Sequence, residues 1–153
     1  MDVLMLNAAA VGDVVTIRRL VAEGADVNVP GDRALHVAAL NGHVDAVRVL
    51  MELGADKEAS AADGGRPLHM AAQHGHVAVV KTLVELGVDK KASTGNGAKP
   101  LHAAAYAGQV AVVKALVELG ADKETSGANG DTPLRSAAWQ GHVAVLTTLV
   151  ELG

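Results

Sequence analysis

An all-α solenoid of helix-turn-helix units joined by hairpin-like fingers follows from three observations on the 153-residue chain. Leu35, Leu68, Leu101 and Leu134 stand 33 residues apart, each opening a similar segment. Such a period marks a stacked array rather than one central core. Each segment then carries two apolar stretches of helical spacing, separated by Gly42, Gly75, Gly108 or Gly141 and closed by Gly54, Gly87, Gly120 or Gly153. About ten polar residues with a turn dipeptide follow each closing glycine up to Gly120, too few to form a domain boundary.

The units run at approximately 1–26, 27–56, 57–89, 90–122 and 123–153, in one domain without linkers. The first is partial: Met5 to Val11, Gly12, then Val14 to Glu23 and Gly24. The stretch from Val3 to Val11 has the length of a signal sequence, but Asp2 stands where a basic start belongs and Asn7 interrupts it, so it reads as helix. The four full units open with Arg33-Ala-Leu-His-Val-Ala-Ala39, Arg66-Pro-Leu-His-Met-Ala-Ala72, Lys99-Pro-Leu-His-Ala-Ala-Ala105 and Thr132-Pro-Leu-Arg-Ser-Ala-Ala138. Pro67 suits the first turn of a helix, where its missing N–H needs no partner, and Leu68, Ala71 and Ala72 then share a face. The second stretch, Val77-Ala-Val-Val-Lys-Thr-Leu-Val-Glu-Leu86, is rich in β-branched residues, yet its length and the spacing of 77, 80, 83 and 84 predict a helix ending at left-handed Gly87. Asp63-Gly64, Asn96-Gly97 and Asn129-Gly130 mark the fingers, with Pro30-Gly31 in a first connection three residues shorter than the next and therefore stunted. Two short helices leave one side bare, so only stacking buries it, in a body about 50 Å long at roughly 10 Å per unit.

Composition agrees. Half of the chain is apolar, but Phe is absent and Tyr106 and Trp139 are the only aromatics, so the core is thin and made of Ala, Val and Leu. Net charge is −4 with no Lys/Arg block, which argues against nucleic acid or an anionic membrane as partner. No run of 18 apolar residues is present to span a bilayer. Zero cysteines remove disulfides and thiolate chemistry and point to an intracellular location, cytoplasmic or nuclear.

These segments resemble the ankyrin repeat, whose 33-residue unit carries a Thr-Pro-Leu-His-x-Ala signature. The resemblance covers essentially the whole chain: Asp-Thr-Pro-Leu at 131–134, Pro-Leu-His in the third and fourth units, Gly-His-Val at 42–44, 75–77 and 141–143, and Gly-Ala-Asp at 24–26, 54–56 and 120–122. It implies an ankyrin-repeat solenoid acting as a non-catalytic protein-interaction module that binds a protein segment on its concave face. The chain departs from the signature at Arg33, Arg66 and Lys99, which replace Thr, and at Arg135, which replaces His.

Chemistry was sought among the remaining residues. His36, His69 and His102 recur at the period, as do His43, His76 and His142, which is the pattern of a structural role in every unit. The resemblance implies hydrogen bonds from such histidines to neighbouring loop backbone, and no carboxylate or cysteine completes a metal site. The serines lack a nucleophile-elbow context, and Gly95-Asn-Gly-Ala-Lys-Pro100 lacks phosphate-loop spacing. The expectation is no enzyme, no cofactor and no metal.

What remains is surface. The family presents variable contacts five and six residues past the repeat Leu, here Leu40 and Asn41, Gln73 and His74, Tyr106 and Ala107, Trp139 and Gln140. Tyr106 and Trp139 hold equivalent positions in adjacent units and are expected side by side, either as a binding hot spot or as cover for Ala-rich surface. Arg33, Arg66 and Lys99 form a second series just before the inner helices, where a cation lacks a capping oxygen and opposes the helix dipole, at a cost of about 0.5–2 kcal/mol. Pairing with Asp32, Asp56, Glu58 or Asp63 offsets that cost; the sharper alternative is a cationic ladder meeting an acidic segment. The last helix, Val143 to Leu152, keeps an apolar outer side, which predicts continuation of the array or self-association there, whereas Asp2, Asp13, Arg18, Arg19 and Glu23 suit a polar starting cap. Two other readings stay open: the recruiting domain of a larger enzyme or channel, and an engineered or structural array without a natural ligand, suggested by the near-identity of 77–87 and 110–120.

Overall fold

The computed structural model of the chain describes residues 1–28 and 33–153. The stunted first finger with Pro30-Gly31, and the pairing assigned to Asp32, lie outside the described residues. Ten α-helices and no strand occur among the described residues. The inner helices are α1 (Asp2–Val11), α3 (Ala34–Leu40), α5 (Pro67–Gln73), α7 (Pro100–Tyr106) and α9 (Pro133–Gln140). The outer helices are α2 (Val14–Ala22), α4 (Val44–Glu52), α6 (Val77–Glu85), α8 (Val110–Glu118) and α10 (Val143–Glu151).

Inner helices pack in series, α1 on α3, α3 on α5, α5 on α7 and α7 on α9, and the outer helices do the same from α2 to α10. This is the packing of an α-solenoid, in which a unit finds its core on its neighbours. The predicted helix from Val77 forms, but its buried residues are Val79, Val80, Thr82 and Leu83 rather than a single line through 77, 80, 83 and 84. The reason is that α6 is enclosed by its own inner helix and by α4 and α8 on either side. The core is one continuous strip of Ala, Val, Leu and Ile with Met5 at its start and no aromatic ring.

The fingers are hydrogen-bonded turns. Gly64 donates to the Ala61 carbonyl at 2.9 Å and Ala61 to the Gly65 carbonyl at 2.7 Å, a pattern repeated by Gly97 and Thr94 and by Gly130 and Gly127. Gly64, Gly97 and Gly130 take φ of 81°, 80° and 71°, while Asp63, Asn96 and Asn129 keep negative φ. One left-handed glycine thus closes each turn. Adjacent fingers touch, since Ala128 donates to the Asn96 carbonyl at 3.3 Å.

Two further series recur along the stack. Asp26, Asp56, Asp89 and Asp122 each accept from the backbone N–H two residues on, at 2.8–3.0 Å, folding the chain into a finger. Lys57, Lys90 and Lys123 reach from the loop after one outer helix to a carbonyl at the C-terminal end of the next outer helix, those of Leu86, Leu119 and Leu149, where a cation also complements the helix dipole.

Candidate functional site

The inner-helix entrances fix the geometry of the finger side. Arg33, Arg66 and Lys99 are the N-cap residues of α3, α5 and α7, with extended backbone and no side-chain cap. A guanidinium or ammonium has only protons to offer, so neither side chain caps the first-turn N–H groups, and what is satisfied from inside the helix is the N–H of the N-cap residue itself. His69 Nδ1 accepts from the Arg66 backbone N–H at 3.3 Å, and His102 Nδ1 from that of Lys99 at 3.1 Å. The other ring nitrogen of each then donates to a carbonyl of the next finger, Ala98 at 3.0 Å and Asp131 at 2.8 Å. Both rings are thereby neutral with the proton on Nε2. Burial holds the pKa of His36, His69 and His102 below the usual imidazole value, and the adjacent Arg33, Arg66 or Lys99 charge lowers it further. In the last unit Thr132 restores the ordinary cap, its Oγ1 accepting from Arg135 N–H at 3.3 Å.

The cations themselves are engaged within the chain. Arg66 Nη1 lies 2.8 Å from Glu58 Oε2, and Glu58 Oε1 accepts from the Asp89 backbone N–H at 2.8 Å, so one carboxylate ties the entrance of α5 to the loop after α6. Arg33 lies 3.8 Å from Asp56. Among the described residues Lys99 reaches only the Ser126 carbonyl, at 3.3 Å.

The variable positions end the inner helices. Leu40 is 37% exposed, Tyr106 52% and Trp139 73%, and Asn41, Gln73, His74 and Gln140 are exposed with them. Asn41 and His74 bond back to the Val37 and Met70 carbonyls, and the His74 ring stacks on His76 with centroids 6.5 Å apart. Tyr106 and Trp139 make no ring contact, and with most of its surface in solvent the indole covers little of its own helix.

One groove of about 260 Å³ opens between the inner helices and the fingers of the fourth and fifth units. Gln73, Tyr106 and His102 line its helix side, and Asn96, Asn129 and Asp131 its finger side. Of the predicted contact residues only Gln73 and Tyr106 enter it; Leu40, Asn41, His74, Trp139, Gln140 and the three cations lie elsewhere. The floor comes from positions two past the repeat Leu, Ala103 and Ser136, where earlier units carry Val37 and Met70. That position varies from unit to unit as much as the one carrying Tyr106, and the shrinkage to Ala and Ser was the available signal. Asn96 and Asn129 were legible only as turn residues.

No group of His, Asp or Glu among the described residues is placed to hold a metal ion. No helix of the described residues is long and apolar enough to cross a membrane. No curated protein matches the chain. The family model described as ankyrin repeats in three copies matches residues 4–94 and again 68–153, together nearly the whole length. With the period, the helix pairs and the turns already in place, the chain belongs to the ankyrin-repeat family, whose members are non-catalytic protein-interaction scaffolds.

Proposed function

We propose that the chain binds an extended protein segment along its concave face, centred on the groove beside Tyr106. The observation that carries this reading is a half-exposed tyrosine set beside the Gln73 and Asn129 amides, which make no side-chain hydrogen bond among the described residues, over a floor of small residues. A groove of about 260 Å³ suits one side chain of a peptide rather than a whole cofactor. Tyr106 offers a ring face, and the Gln73 and Asn129 amides offer donors and acceptors to the backbone of a segment passing over it. Trp139 and Gln140 extend the surface one way; His74, Asn41 and Leu40 extend it the other. Of the three cations Lys99 is best suited to meet an acidic residue, because Arg33 and Arg66 already face carboxylates. A preorganised stack loses little conformational entropy on docking, so a few such contacts suffice. The lack of cysteine supports work in a reducing compartment, inside the cell.

A random peptide library selected on the parent chain tests this. Selected peptides should bind Tyr106→Ala or Ser136→Arg at least about tenfold more weakly, the loss of roughly 1.4 kcal/mol expected of one anchor. Peptides that bind all three chains alike would place the site elsewhere.

A further inference from the structure

The four joints of the stack share one construction. At the start of each outer helix after the first, a side chain donates to a carbonyl of the preceding unit: His43 to Ala10, His76 to Leu40, Gln109 to Gln73 and His142 to Tyr106, at 2.8–3.0 Å. Each of these side chains lies over a glycine of that preceding unit. A Cβ at Gly12, Gly42, Gly75 or Gly108 would come within 2.5–2.9 Å of it. The joint is therefore a donor, a carbonyl and a missing Cβ.

Gly141 continues the series with the same left-handed φ of 73°, yet nothing lies within 4 Å of the place its Cβ would take. Beside it, the Trp139 carbonyl is the counterpart of the Tyr106 carbonyl. The apolar positions that a next unit covers are bare there: Leu134 is 41% exposed where Leu101 is 2%, and Val143 and Val150 are 70% and 69% exposed where Val110 and Val117 are half-buried.

The opposite end is finished differently. Asp13 holds the place of the joint donor but is exposed and caps its own helix, accepting from Thr16 N–H at 3.0 Å and Thr16 Oγ1 at 2.6 Å. Its carboxylate has no proton to give backwards. Arg19, exposed, replaces the buried Val49, Thr82 and Ala115 of later units, and half-buried Thr16 replaces Ala46, Val79 and Val112. A unit stacked on that end would bury Arg19.

We propose that the C-terminal face is a docking surface for a helical hairpin of this chain's own pattern, one with His or Gln opening its second helix. That side chain donates to the Trp139 carbonyl over Gly141, and the hairpin covers Leu134, Val143 and Val150. The argument is continuity with the four joints already present. Head-to-tail stacking of a second copy is excluded as the occupant, since it sets the Asp13 carboxylate against the Trp139 carbonyl.

A single unit cannot bury its own apolar side, so the probe is supplied covalently: a copy of residues 121–153 fused directly after Gly153 of the full chain. The extended chain should unfold at a higher urea concentration than the parent, and the same copy fused before Met1 should give no such rise. Gly141→Ala should lower the midpoint of the extended chain at least twice as far as that of the parent, because only there does the new methyl meet an imidazole. Alanine in place of the copied His142 should return part of the rise. Equal losses from Gly141→Ala in both chains, equal gains at the two ends, or a parent chain that sediments as a dimer would each overturn the proposal.

Discussion

His69 holds Arg66 from within the same helix: its Nδ1 takes the Arg66 backbone proton at 3.3 Å while its Nε2 donates to the next finger at the Ala98 carbonyl. The ring serves the helix start and the joint between units at once, and it can do both only while uncharged.

Acid should therefore loosen the array. The folded-state pKa of His69, His102 and His36 is lowered from about 6.5, first by burial, so in falling through that pH the unfolded chain binds protons that the folded chain refuses. Stability is full above about 6.5 and declines below it. Urea midpoints at pH 7.5 and 5.5 check the sign. In a His69→Gln, His102→Gln chain the decline over that interval should be smaller, at the expense of about 1–3 kcal/mol per site at pH 7.5. A parent midpoint indifferent to this interval would contradict the neutral-ring geometry.

The three N-cap cations should respond differently to threonine. Lys99→Thr gains a capping oxygen and loses one contact to a backbone carbonyl, so stability rises by about 0.5–1 kcal/mol. Arg66→Thr gains the same cap but strands Glu58, leaving the chain within about 0.5 kcal/mol of the parent. Equal stabilisation by both substitutions would mean that the Glu58 pair contributes nothing. A loss of peptide affinity in Lys99→Thr alone would assign that lysine to the binding surface.

Among the finger glycines, Gly97 and Gly130 share a left-handed backbone but not their surroundings. A Cβ at Gly97 runs into Ala128, whereas at Gly130 nothing stands within 4 Å. Gly130→Ala should cost only the conformational penalty, about 1–2 kcal/mol. Gly97→Ala should cost clearly more, because it also forces the fingers of the fourth and fifth units apart. Paired chemical denaturation curves give the comparison.

Trp139 should be nearly silent in folding. With 73% of its surface in solvent, Trp139→Ala should change stability by no more than about 0.5 kcal/mol. Its fluorescence should resemble that of free indole and be quenched readily by acrylamide. A blue-shifted, protected emission would mean that the ring covers its helix.

Much of this molecule was legible because repetition makes a pattern visible against itself. Leu68 and its counterparts set the period, Pro67 and Gly75 bracketed the inner helix, and the recurrence of His69 and His76 marked a structural role in every unit, which the family resemblance placed between neighbours. The groove was less legible. Its walls come from Asn96, Asn129 and Asp131 of two fingers and from Gln73 and Tyr106 of two helices, and only the stacking distance between units decides that these meet. Lys57, Lys90 and Lys123 went unnoticed for a similar reason. Each acts on a carbonyl at the end of the next outer helix, and a carbonyl leaves no mark in a sequence.

Because every joint is closed by its own donor over its own glycine, the array has no keystone. Pulled from its two ends it should yield in steps, one catch at a time, and each released piece would still have a standing neighbour to close against. Such a body behaves as a reversible spring, and its extension curve would count its catches.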